Sequence, residues 1–261
     1  MSYQTLELLR DKHVATVWLN RPDVRNAFDE TSIAELTAVF RELGADATVR
    51  AVVLAARGPA FCAGADLNWM KKMAGYTREE NRADAAQLAD MLLGIHSCPK
   101  PVLARVQGDC YAGGMGLVAA CDIAVAVEGA NFCLSETRLG LIPATISPYV
   151  IRAMGESAAR RYFLSAERFA APEARRIGLV HEVVAPEALD TTVGGIAAAL
   201  AANSPHAVQE AKRLVQDVAG QPLSAELIAD TAERIADIRA SEEGREGVRA
   251  FLEKRKPRWL G

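Results

Sequence analysis

An α/β core followed by a run of helices is the fold class this sequence predicts. Two observations carry it. Segments with strand-like and helix-like patterns alternate up to about residue 184, and from about Glu187 onward the pattern is almost wholly helical. A third observation is Ala51–Ala56, AVVLAA, which is apolar throughout, as in a strand buried on both faces.

The elements follow in order. Residues 5–10 and 14–20 read as two short strands turning at Asp11 and Lys12. A helix is expected over residues 29–43, because Ile33, Leu36, Phe40 and Leu43 fall on one face and Gly44 suits its end. Ala51–Ala56 is the next strand. Leu88, Met91, Leu92 and Ile95 mark an amphipathic helix that Pro99 ends, and Val102–Val106 and Ile123–Val127 read as two further strands. The tail holds a helix starting at Pro205, one starting at Pro222 and a last one through Phe251. No sequence repeat interrupts this order, and the expected division is residues 1–186 as the core and 187–261 as a helical C-terminal region.

The composition bounds the function. With 261 residues, 50% of them hydrophobic, the chain is long enough to bury a sizeable core. A formal net charge of −3 gives no attraction to nucleic acid or to an acidic membrane, so neither partner is expected. Residues 115–127 form the longest apolar run, which is too short to span a bilayer and is broken by Asp122. The N-terminus has no basic segment ahead of an apolar one, so no signal peptide is expected. Cys62, Cys98, Cys110, Cys121 and Cys133 are scattered without zinc-type spacing, which predicts free thiols in a reducing cytoplasm and no metal.

Chemistry concentrates in AGGMGLVAACD, residues 112–122. Glycines at 113, 114 and 116 sit between a strand and a short apolar helix, where bare backbone N–H groups can meet an anion. A dinucleotide fingerprint does not fit, because the strand at Ile123 follows too soon for a crossover helix. The alternative is that these glycines only permit close helix–strand packing. FCAGADLNWM, residues 61–70, follows Ala51–Ala56 as the glycine cluster follows Val102–Val106. Two parallel strand ends could therefore place two N–H donors around one oxygen, each worth roughly 3 kcal/mol in a transition state.

FCAGADL, AGGMGLVAACDIAVA, LSETRLGLIP and the C-terminal AFLEKRKPRWLG occur in that order. Together they resemble the crotonase, or enoyl-CoA hydratase/isomerase, superfamily, and the resemblance runs from RPDVRNAF (residues 21–28) to the last helix. It implies a spiral of ββα turns with a C-terminal helical trimerisation region, acyl-CoA substrates, and a homotrimer or a hexamer built as a dimer of trimers. Coenzyme A enters as part of the substrate, and no separate cofactor is implied. By the same match the N–H groups of Ala65 and Gly113 hold the thioester oxygen. Arg25, Ala63, Asp66, Leu67, Gly114, Gly116 and Lys254 are implied as substrate or CoA contacts. The physics agrees, since a thioester α-proton leaves readily only if the enolate oxygen is stabilised as it forms. A helix N-terminus at Gly113 supplies roughly half a positive charge there.

Many hydratases of this family use two glutamates. The second is present as Glu136 in SETRLG, whereas the first position holds Gly116 with no acid nearby. Glu136 is therefore the implied catalytic acid–base group, with a pKa raised by an apolar pocket. The missing side chain at 116 leaves room that a water could occupy. One carboxylate suits a double-bond isomerase, or a hydratase in which Glu136 both activates water and protonates the α carbon. The stretch SETRLGLIPATISPYVIRAMG is similar to bacterial methylglutaconyl-CoA hydratases. The resulting expectation is hydration of a branched or carboxylated 2-enoyl-CoA. An isomerase is the alternative, and a non-catalytic acyl-CoA-binding protein is an alternative of another class, against which Glu136 counts. A distal carboxylate would need a cation, and Arg138, Arg152, Lys71 and Lys72 all remain open. Trp69 and Met70 could line the acyl pocket or simply pack. His13, His96, His181 and His206 have no metal or triad spacing, and no Gly-x-Ser-x-Gly occurs.

Overall fold

Backbone pairing turns the alternating segments into a spiral. The computed structural model describes residues 3–260; Met1 and Ser2, which begin the N-terminal stretch read above, and Gly261 lie outside the described residues. β1 (Leu6–Asp11) and β2 (Val14–Leu19) form an antiparallel hairpin, with Leu6 opposite Leu19. α1 (Glu30–Ala45) starts at Asp29, whose side chain accepts the Ser32 N–H, and it buries Ile33, Leu36, Val39, Phe40 and Leu43. β3 (Ala51–Ala56) is buried at every residue and runs parallel to β2. α2 (Leu67–Met73) and α3 (Arg78–His96) follow, the latter opened by a capping box between Thr77 and Glu80.

The next turns repeat one plan. β4 (Val102–Val106) adds to the main sheet, β5 (Cys110–Tyr111) leaves it for a second small sheet, and α4 (Gly113–Ala120) returns the chain. β6 (Ile123–Val127), β7 (Asn131–Cys133) and α5 (Ser147–Ser165) do the same. The first turn has the same shape, because after β3 the chain crosses to Cys62, which bridges Cys110, before entering α2 and α3. β8 (Phe169–Ala170), α6 (Ala171–Arg176) and β9 (Glu182–Val184) close the spiral. Among the described residues the main sheet has the order β1-β2-β3-β4-β6-β9 and the small one β5-β7-β8. The implied ββα spiral with a helical C-terminal region is thus the observed fold.

α7 (Leu189–Ala202), α8 (Pro205–Val218), α9 (Ala225–Ala240) and α10 (Glu242–Leu252) complete the chain. The division at residues 186 and 187 follows the change to helices but not the packing. α7 lies across β2, β3, β4 and β6 and buries Leu189, Val193 and Ala197, so by packing it belongs to the core. The helices that leave the core begin with α8. α8 starts at Pro205, as expected, but α9 does not start at Pro222. Its cap is Ser224, whose hydroxyl accepts the Leu227 N–H, and Pro222 sits in the preceding loop. α8 is tied to the spiral by polar contacts. Lys212 Nζ donates to Asp122 Oδ2 at 2.7 Å, and the same oxygen accepts the Val102 N–H.

The short strands β5, β7, β8 and β9 escaped the sequence reading. Each is two or three residues long, too short for an alternating pattern to show. β5 also explains how α4, only eight residues long, spans the crossover from β4 to its neighbour β6. The chain has already left the main sheet through β5 before the helix begins.

Candidate active site

Three chain segments run side by side at the centre of the spiral. Cys62 bridges Cys110 in parallel, Cys110 pairs with Phe132, and Tyr111 pairs with Cys133. Ala65, Gly113 and Glu136 each follow their cysteine, Cys62, Cys110 and Cys133, by three positions. Parallel neighbours lie about 4.8 Å apart, so register sets Ala65 beside Gly113. Because Cys133 pairs with Tyr111, Glu136 falls one residue beyond the position level with Gly113 on the next segment. Contact shows the approach of the first two segments: a Cβ built on Gly64 would stand 3.8 Å from Gly113 N and 3.0 Å from Ala112 Cβ.

The backbone donors are free. Among the described residues neither the Ala65 nor the Gly113 N–H donates a hydrogen bond, while their neighbours do. Phe28 N–H donates to Gly64 O at 2.9 Å, Asp66 N–H to Phe28 O at 3.0 Å, and Met115 N–H to Ala112 O at 2.9 Å. Ala112 adopts φ 46, ψ −122, a conformation that costs a non-glycine residue about 1–3 kcal/mol. It turns the chain sharply from β5 into α4, so that the Gly113 N–H heads the helix.

Glu136 opens a 3-10 turn, Glu136–Leu139. Its Oε2 is buried and has no hydrogen-bond partner, and burial raises its pKa above the ordinary carboxylate value. Nothing apolar requires a carboxylate there, and an unpartnered buried oxygen is costly for stability. Two unused N–H groups can hold an oxyanion, and such a carboxyl can move a proton.

The glycines divide by role. A Cβ on Gly113 would meet the Phe28 ring at 2.3 Å, so only glycine fits. Gly114 and Gly116 are required by packing. A Cβ on Gly114 would lie 2.8 Å from Cys62 Cβ, and one on Gly116 would lie 2.3 Å from Ile146 Cγ2. Both glycines are buried and serve close packing. The room expected at Gly116 is therefore not there, because Ile146 fills it.

The other implied contacts part company. Arg25 and Ala63 are brought together: Ala63 N–H donates to Arg25 O at 3.0 Å, and both line a cleft of about 480 Å³ with Ala60, Gln107, Tyr111 and Pro186. Leu67, 74% exposed at the start of α2, is open to a ligand. Asp66 is not. Its Oδ1 accepts from Asn68 and Trp69 N–H, and its Oδ2 takes the Arg21 guanidinium at 2.9 Å. Burial alone would raise its pKa, yet these bonds hold it below the usual value. The Asp66 carboxylate is a helix cap. Lys254 belongs to the C-terminal helical region. It follows α10, which packs mainly on α9 and α8. The tail beyond it is anchored by Arg50, which donates to Trp259 O at the start of β3, the end away from the site.

Trp69 packs. It is 3% exposed, its Nε1 donates to Asp84 at 3.0 Å, and its ring lies 5.9 Å from that of Phe28. Phe28, Cys62 and Ile146 shape the site without having been singled out. For Phe28 the only sequence signal was its place at the end of RPDVRNAF; for Ile146 there was none. Of the cations considered, Lys72 pairs with Glu30, Arg138 donates to Ala166 O, and Arg152 donates to Pro148 O within its own helix. His13, His96 and His181 contact Thr48 O, the Tyr149 ring and the Ala124 N–H.

Fold and site together are those of a spiral α/β enzyme with two free backbone donors and one buried carboxyl. The chain belongs to the enoyl-CoA hydratase/isomerase family, whose model matches residues 10–261. An enoyl-CoA hydratase structure from Shewanella pealeana is similar with TM-score 0.95 and 44% identity, covering 98% of this chain and 96% of that one. One from Mycobacterium smegmatis gives TM-score 0.93 and 39% identity over 99% and 100% of the two chains. The mevalonyl-coenzyme A hydratase sidH of Aspergillus fumigatus is 34% identical over 258 residues, 95% of this chain and 91% of that protein.

Proposed function

We propose that this enzyme adds water across a 2-enoyl-CoA, with a branched acyl group as its preferred substrate. The carrying observation is the pair of unused N–H groups at Ala65 and Gly113, set together by strand register, with the buried, unpartnered carboxyl of Glu136 just beyond the neighbouring strand. The thioester oxygen lies between the Ala65 and Gly113 N–H groups. Glu136 draws a proton from the attacking water, and the same carboxyl then delivers it to the α carbon as the enolate collapses. Each step balances: the hydroxyl goes to the β carbon, the proton to the α carbon. Arg25, Ala63 and Leu67 face the coenzyme A portion. The branch in the substrate is supported by the mevalonyl-CoA hydratase among the relatives, since a mevalonyl group is branched at its third carbon.

The test is incubation with 3-methylglutaconyl-CoA and 3-methylcrotonyl-CoA in oxygen-18 water, followed by mass spectrometry. The expected product is heavier by one labelled water. If the 2-enoyl thioesters keep their mass while a 3-enoyl-CoA becomes its 2-enoyl isomer, the isomerase reading replaces this one. The filled space at Gly116 favours neither water nor its exclusion by itself, but it leaves Glu136 as the polar partner a water would need.

The enzyme is further proposed to work as a trimer or a dimer of trimers, in the reducing cytoplasm that its free cysteines suit. Leu223, Phe251 and Leu252 on the tail are 88%, 82% and 73% exposed, more apolar surface than one chain covers. Sedimentation at micromolar concentration should show an assembly of three or six copies. A monomer would remove the proposal.

A further inference from the structure

Phe28 meets both backbone donors, each by a different route. Its backbone pairs with Ala65 in a parallel bridge: the Phe28 N–H donates to Gly64 O at 2.9 Å, and the Asp66 N–H donates to Phe28 O at 3.0 Å. In a parallel pairing of this kind the residue between the two bonds turns its own N–H away from the partner strand. The bridge therefore aims the Ala65 N–H to the far side, where Cys62 meets Cys110 and the chain leads on to Gly113. The side chain of the same residue ends on Gly113. A Cβ there would lie 2.3 Å from Phe28 Cζ and 2.9 Å from Cε1, so the ring edge already holds that volume. Both contacts are fixed from behind. Arg21 fastens the bridge at its flanks, donating to Ala27 O and pairing with Asp66 at 2.9 Å and Asp29 at 3.3 Å. Phe28 is buried with its ring 5.9 Å from that of Trp69, which Asp84 holds in turn.

We propose that Phe28 is a positioning residue of the oxyanion site: its backbone fixes Ala65, its ring fixes Gly113, and this one residue sets the separation of the two N–H groups. The inference rests on the acyl-CoA reading given above. Phe28 supplies no proton and no charge, so its effect is geometric. The backbone bridge does not depend on the side chain. A substitution at 28 therefore releases the Gly113 donor and leaves the Ala65 donor in place. A donor moved off the oxyanion loses most where charge develops and less where the ground-state thioester is held. The loss falls on turnover rather than on affinity.

Infrared spectroscopy of bound butyryl-CoA, labelled with carbon-13 at the thioester carbonyl, tests this, because hydrogen bonds to that oxygen lower its stretching frequency. A saturated thioester is neither hydrated nor isomerised, so the result does not depend on which reaction the enzyme runs. Binding to the parent should lower the frequency. Phe28→Leu should lose about half of that shift, since one donor of two has moved, and its kcat on a 2-enoyl-CoA should fall about tenfold. The dissociation constant of butyryl-CoA should change by less than kcat does. Phe28→Met refills most of the volume with a flexible chain. It should regain the melting temperature lost in Phe28→Leu but neither the carbonyl shift nor the kcat. A role in packing alone would move only the melting temperature. A carbonyl band like the parent's in both variants, with kcat within about twofold of the parent in Phe28→Met, overturns the proposal. A parent that binds butyryl-CoA without lowering the frequency would instead sink the oxyanion reading, and one that does not bind it would sink the acyl-CoA reading itself.

Discussion

Glu136→Gln is expected to fold, to bind acyl-CoA and to lose at least ~10²-fold in turnover, the usual range for a general acid–base group. Glutamine keeps the shape of the side chain and removes its ability to take up and release a proton near neutral pH. The other carboxyl groups near the motifs are engaged elsewhere: Asp66 caps α2 and Asp84 accepts from Trp69. Steady-state turnover of a 2-enoyl-CoA is the measurement, and a rate near that of the parent would take Glu136 out of the mechanism. The parent's rate should also fall as the solution is acidified through the raised pKa of Glu136, because the carboxylate is the form that accepts the water proton. The stability effect has the opposite sign. A carboxyl whose pKa is raised on folding stabilises the fold below its ordinary pKa and loses that contribution as pH rises through the raised value. The melting temperature of Glu136→Gln, relative to the parent, should therefore improve from acid to neutral pH.

Gly113→Ala is expected to cost 10²- to 10³-fold in turnover, the range for losing one oxyanion donor. The added methyl would meet Phe28 at 2.3 and 2.9 Å. Phe28 is 3% exposed and lies against Trp69, itself held by Asp84, so the ring has little freedom to retreat. The start of α4 must shift, and with it the Gly113 N–H. Pairing Gly113→Ala with Phe28→Leu should restore part of the activity by giving the methyl room. A Gly113→Ala enzyme that works like its parent would mean that the Gly113 N–H does not hold the oxyanion.

Some of the fold was open to reading from periodicity. Ala51–Ala56 and Ile123–Val127 lie at the bounds the sequence predicts because an unbroken apolar run needs no partner to declare itself a buried strand, and Val102–Val106 does so with the single interruption of Arg105. α1 was legible from one apolar face and its Asp29 start. β5 and β7 were not, although they align the site. A strand of two or three residues has no period, and it exists only because a neighbour from another part of the chain offers hydrogen bonds.

The candidate site divides in the same way. Glycine at 113, alanine at 65 and glutamate at 136 are chemical identities, and their local motifs mark them in the chain as donors and acid. Why glycine was needed at 114 and 116 could not be seen there. The answers are Cys62 and Ile146, which are far away in sequence and touch α4 only after folding. The same holds for the committed carboxylate of Asp66. Residue type and short-range pattern are properties of the covalent chain. Which volume is already filled, and which polar atom is left without a partner, are set by long-range packing, and no local pattern encodes them.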